Sequence, residues 1–79
     1  MTVTDLGKIL KDMYSRAPEG YRVAHIHLFG IKYASIILKN ELNVNEIISV
    51  SGLNSSYSTE VNKGIKLSRY VKLKSQDNE

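Results

Sequence analysis

Apolar residues recur at helical spacing from the start of the chain: Val3, Leu6, Ile9, Leu10, Met13 and Tyr14, with Lys8, Lys11, Asp12 and Arg16 between them. This spacing predicts an amphipathic helix over 3–16. Thr2 or Thr4 can cap it, and Asp5 falls in its first turn, where the helix dipole favours a negative charge. Ala17-Pro18-Glu19-Gly20 stops it, because Pro18 biases Ala17 away from helical angles.

The next stretch is apolar on nearly every side: Val23, Ala24, Ile26, Leu28, Phe29, Ile31, Tyr33, Ala34, Ile36, Ile37 and Leu38. A run this long exceeds an ordinary strand of roughly 4–8 residues and predicts a helix over 23–39. A helix apolar on most of its surface belongs at the centre of the domain. Gly30, at its middle, costs about 1 kcal/mol relative to alanine in a helix and marks a close helix approach or a kink. The competing arrangement is a strand at Tyr21–Leu28 followed by a shorter helix.

Further on, Asn43 or Asn45 caps a short helix over 44–51, with Glu46 in its first turn and Val44, Ile47, Ile48 and Ser51 facing inward. Gly52 ends it in the left-handed conformation, and Leu53 plugs the corner. Asn54, Ser55 and Ser56 offer capping oxygens for a fourth helix over 55–70. Its stripe of Tyr57, Val61, Gly64, Ser68 and Val71 carries through to Val71. Alternatively, Gly64 ends the helix and Tyr70–Lys74 forms a short strand. The predicted fold is an all-α bundle of about four helices in one domain over 1–75, with a polar tail at 76–79.

Composition narrows the classes. Seventy-nine residues make one small domain whose core is limited, so homodimerisation stays open. There is no cysteine, hence no disulfide framework and no thiolate metal site. No apolar run approaches the roughly 20 residues that span a bilayer. The N-terminus lacks the features of a signal peptide, so cytoplasmic residence without membrane contact is the expectation. His25 and His27 are the only histidines. At i, i+2 they do not share a helix face, so no metal is expected; a packed or hydrogen-bonded histidine is the simpler reading. No catalytic constellation, phosphate-binding Gly-rich loop or cofactor motif is visible, and the chain reads as a non-enzyme. The five tyrosines read mostly as core or boundary residues rather than a base-stacking platform.

Charge changes the picture most. Over residues 1–62 six basic residues balance six acidic ones, whereas 63–75 carry Lys63, Lys66, Arg69, Lys72 and Lys74 with no acid. This basic block directly follows helix, glycine turn and helix. A helix-turn-helix whose second helix runs into a positive patch outlines a small DNA-binding module. The second helix then docks in the major groove of double-stranded DNA. Asn54, Ser55, Ser56 and Thr59 face the groove and base edges, while Lys63, Lys66, Arg69 and Lys72, recurring every third residue, follow the phosphates. Ile47, Leu53 and Val61 pack together beneath the turn.

With Ile47 and Ile48 before Ser51-Gly52-Leu53, then Val61 and Lys63-Gly64, residues 45–64 resemble the helix-turn-helix domains of bacterial and phage repressors. Three positions depart from that pattern. Ile48 replaces the usual alanine, Ser58 occupies an inward position normally held by valine or isoleucine, and Glu60 faces phosphates. Tyr57 can turn inward in place of Ser58, rotating the second helix. The stretches His27-Leu28-Phe29-Gly30-Ile31-Lys32-Tyr33 and Lys63-Gly64-Ile65-Lys66-Leu67 also resemble helix-turn-helix-like modules found with restriction nucleases. These resemblances imply a small transcriptional regulator or a DNA-targeting accessory protein. The alternative is a protein-interaction module or accessory subunit with no nucleic-acid role. It would use the apolar 23–38 segment to bind a larger partner.

Overall fold

The computed structural model describes residues 1–74; the expected polar tail lies outside the described residues. Four α-helices follow in order: α1 (Val3–Arg16), α2 (Arg22–Lys39), α3 (Val44–Ser51) and α4 (Ser58–Leu67), with a single 3-10 turn at Ser55–Tyr57 before α4. The all-α class stands. The alternative strand at Tyr21–Leu28 does not form. Apart from its ends, α2 satisfies its backbone internally over 18 residues, and burial on several sides favours that over an unpaired strand.

Local chemistry sets most of the boundaries. Thr2 caps α1 through a reciprocal box. Its hydroxyl accepts from the Asp5 N–H at 3.1 Å, and its own N–H donates to the Asp5 carboxylate at 3.0 Å. The Thr2 N–H, and after it the Thr2 hydroxyl, hold the Asp5 carboxyl below its usual pKa. Ala17, extended before Pro18, closes α1. At the end of α2, Glu41 takes a left-handed φ of 51°. The Leu42 N–H donates to the Ile37 carbonyl and the Glu41 N–H to that of Leu38, which together form a Schellman cap. Asn43 then caps α3 by accepting from the Glu46 N–H.

The core joins all four helices: Leu6 and Leu10 of α1; Ile26, Phe29, Ala34 and Ile37 of α2; Ile47 and Ile48 of α3; Val61 and Ile65 of α4. Two seams dominate, α2 on α4 and α1 on α3. Gly30 and Gly64 meet at the first, with backbone against backbone. A β-carbon on Gly30 would lie 2.5 Å from the Val61 carbonyl oxygen, and one on Gly64 would collide with the His27 carbonyl. Gly30 therefore marks a close approach. Gly64 is buried inside α4 rather than closing it.

The second seam uses Gly7, where a β-carbon would come within 2.6 Å of the Val50 Cβ. The Tyr14 and Tyr57 rings pack at a tilt of 55° with centroids 5.6 Å apart and their hydroxyls share a hydrogen bond, which ties α1 to the 3-10 turn. Arg22 lies over the Tyr14 ring, 5.4 Å from its centre.

Candidate nucleic-acid interface

The turn between α3 and α4 is built by three residues. Gly52 caps α3 at φ 77°, ψ 3°, a backbone shape that side chains with a β-carbon resist. Ser51 is buried; its hydroxyl donates to the Ile48 carbonyl and accepts from the Leu53 N–H at 3.1 Å. One small polar side chain thus satisfies both sides of a sharp corner. Leu53 is half-buried against the core to which Ile47 and Val61 belong.

The fourth helix differs from the predicted 55–70 at both ends. Its first three residues form the 3-10 turn, which Asn54 caps by accepting from the Ser56 N–H at 2.9 Å. At the other end, the Ser68 N–H is shared between the Gly64 and Ile65 carbonyls and its hydroxyl donates to Ile65. The chain tightens into i→i+3 bonds and leaves the helix after Leu67. Residues 70–74 form no strand. The apolar stripe ends at Ser68, since Val71 is exposed.

Tyr57 does turn inward to Tyr14, and Ser58, half-buried, donates to the Ser55 carbonyl. Val61, Gly64 and Ile65 form the buried side of α4. The opposite side carries Thr59, Asn62, Lys63 and Lys66, all exposed. At about 100° per residue, Thr59, Asn62 and Lys66 fall within about 60° of one another. Asn54, Ser55 and Ser56, also exposed, precede that row at the start of α4.

Glu60 does not face outward toward phosphates. It turns to α2, where its Oε1 accepts from His27 Nε2 at 2.7 Å, and its Oε2 accepts from Lys63 at 3.3 Å. These partners, His27 first, hold the Glu60 carboxyl below its usual pKa. Lys63 is thereby partly neutralised. The histidine's partner lies 33 residues away in sequence, which explains why no neighbouring carboxylate announced it.

The basic row also changes shape. Lys63 and Lys66 share a shallow cleft with His27, Leu67 and Tyr70. Arg69 lies beyond the helix, and Lys72 sits back against α2 beside Ile31 and Ser35. The four cations therefore do not form a single helical row. They extend from the outer face of α4 around its C-terminal end. Tyr14, Tyr33 and Tyr57 pack at the edge of the core, whereas Tyr21 and Tyr70 are exposed at 60% and 80%. Sequence reasoning passed over Asn62. Counting one turn on from Thr59, with Val61 as the buried reference, places it on the outer face.

Among the described residues no group of three or more histidines, cysteines or carboxylates is arranged to hold a metal, and no helix is long and apolar enough to cross a membrane. A capped helix, a left-handed glycine corner and a second helix with a polar outer face define a helix-turn-helix protein. A family model described as an HTH-like domain matches residues 2–74, and the chain belongs to that family. Neither the curated proteins nor the solved structures contain a match.

Proposed function

We propose that this chain binds double-stranded DNA by laying α4 in the major groove, as a small regulator or as the DNA-targeting accessory of a larger protein. The observation that carries the reading is the outer face of α4. Thr59, Asn62, Lys63 and Lys66 stand exposed on a helix whose other side is fixed by the turn and by α2. Hydroxyl, amide and cationic groups suit base edges and phosphates, and Arg69 and Lys72 extend the positive surface past the helix. Asn54, Ser55 and Ser56 lie at the helix start, the end that enters the groove in helix-turn-helix proteins.

The test is binding to pooled random duplexes as a function of salt. With Lys66, Arg69 and Lys72 on phosphates and Lys63 partly neutralised, log affinity should fall with log salt at a slope of about −3. Lys66→Ala and Arg69→Ala should each lower the slope by about one unit, and Lys63→Ala by less. A slope unmoved by Lys66→Ala and Arg69→Ala removes the reading. One observation favours the alternative, an interaction module: the cleft of His27, Leu67 and Tyr70 is apolar although Lys63 and Lys66 flank it. The 23–38 segment is a poorer candidate for that role, because Ile26, Phe29, Ala34 and Ile37 are buried in the core.

A further inference from the structure

The polar side chains around α4 divide into those that hold the fold and those that do not. Asn54 caps the 3-10 turn, Ser58 bonds the Ser55 carbonyl, Ser68 bonds the Ile65 carbonyl, and both Glu60 oxygens are engaged. The Asn62 carboxamide makes no hydrogen bond to any described residue. Most asparagines here behave otherwise: Asn40 bonds the Ile36 carbonyl, and Asn43 and Asn54 are caps. Asn45 is also unengaged but stands on α3, the helix that crosses the DNA backbone in this docking geometry. In a helix interior asparagine is a weaker helix former than alanine, and Asn62 returns no bond to the fold for that cost. It lies between Thr59 and Lys66 on the exposed side of α4.

We propose that Asn62 is a sequence-reading residue of α4 and that it selects adenine. A carboxamide offers one donor and one acceptor side by side. The major-groove edge of adenine presents the complement, the N7 acceptor beside the N6 amino donor, and guanine does not. The neighbouring Glu60 is turned away to His27, so it does not compete for the same edge. This inference rests on the reading of α4 as a groove-binding helix.

The experiment starts from duplexes selected out of a random pool by the unaltered protein. Affinities are then measured for the protein and for Asn62→Ala. Each is tested on duplexes with A·T, G·C or 7-deazaadenine at every selected adenine. At one position the parent should favour A·T over G·C by about 10- to 100-fold. Replacing adenine N7 there should weaken the parent but not Asn62→Ala. The variant should keep the parent's salt slope and its circular dichroism, since Asn62 is exposed. Base preferences that are the same for the two proteins across these duplexes overturn the role of Asn62 while leaving salt-dependent DNA binding intact. No salt-dependent binding by the parent overturns the groove reading itself, and the inference with it.

Discussion

The two helix seams of this protein are both built on glycine, yet they differ in what the glycine meets. At the α2–α4 seam Gly30 and Gly64 face main chain, and an added β-carbon collides with a carbonyl that cannot rotate away. At the α1–α3 seam Gly7 meets the Val50 side chain first, with the Ile47 carbonyl behind it at 3.1 Å, and Val50 is 43% exposed on a helix of only eight residues. The first seam presses main chain on main chain, whereas the second can open only if α3 itself shifts. A fixed crossing suits α4, whose outer face does the proposed work, because it sets the direction in which Thr59, Asn62 and Lys66 point.

Breaking the fixed seam should have the largest effect. Gly64→Ala should destabilise the fold by about 2–3 kcal/mol, as overpacking against main chain outweighs the gain in helix propensity. In a domain this small each kcal/mol moves the melting midpoint by about 4–8 °C, so thermal unfolding reads it directly. A midpoint equal to the parent's would mean that the helices separate freely. Leu53→Ala, at the corner that joins α3 to α4, should cost about 1–2 kcal/mol. The side chain is half-buried, which places it below a fully buried leucine. A change within experimental error would show that Gly52 and Ser51 hold the corner unaided.

Gly7→Ala sharpens the contrast. α3 must shift to admit it, but its exposed edge allows that, so the expected loss is about 1 kcal/mol and smaller than that of Gly64→Ala. The reverse order would remove the distinction between the seams. Glu41→Gly, outside both seams, should stabilise by about 0.5–1 kcal/mol by relieving a left-handed φ on a residue with a β-carbon.

The smallest effect concerns the His27–Glu60 hydrogen bond across the fixed seam. The Glu60 pKa is depressed in the folded state, chiefly by His27 and then by Lys63. Its contribution to stability is therefore complete above the ordinary glutamate value of 4.5. It is lost as the pH falls from there through the folded-state pKa. Urea midpoints of the parent and Glu60→Gln should be well separated above the ordinary glutamate value of 4.5 and draw together as the pH falls below it. A separation independent of pH would assign the contact to packing rather than charge.

What was legible in the sequence was what local chemistry decides. α3 ends where Gly52 says it must, and Thr2, Asp5 and Asn43 cap the helices from within one turn. The long apolar run became a central helix because its length alone disfavours a strand. The fourth helix was read less well for a physical reason. Gly64 looks like a terminator along the chain, yet in three dimensions it is the contact point with Gly30. The early end at Leu67 comes from hydrogen bonds of Ser68, a residue whose pattern fits the helical stripe equally well. Glu60 read as a misplaced charge because its partner, His27, is brought to it only by that crossing. The exposed groups of the candidate site were visible once Val61 was placed inward. Asn62 needed the phase of α4, which Tyr57 sets by turning to Tyr14.

The meeting of α2 and α4 at Gly30 and Gly64 bears on what can be moved between proteins. The helix pair that carries the proposed recognition surface is contiguous in sequence, which makes residues 43–67 the obvious unit to transplant. Such a fragment would arrive without the platform that sets the attitude of α4. His27 and the backbone beneath Gly64 both belong to α2, upstream of the graft. The smallest inheritable unit that keeps its aim therefore begins at α2, and exchanging the outward side chains of α4 in place is the route by which a new target is acquired without losing the old geometry.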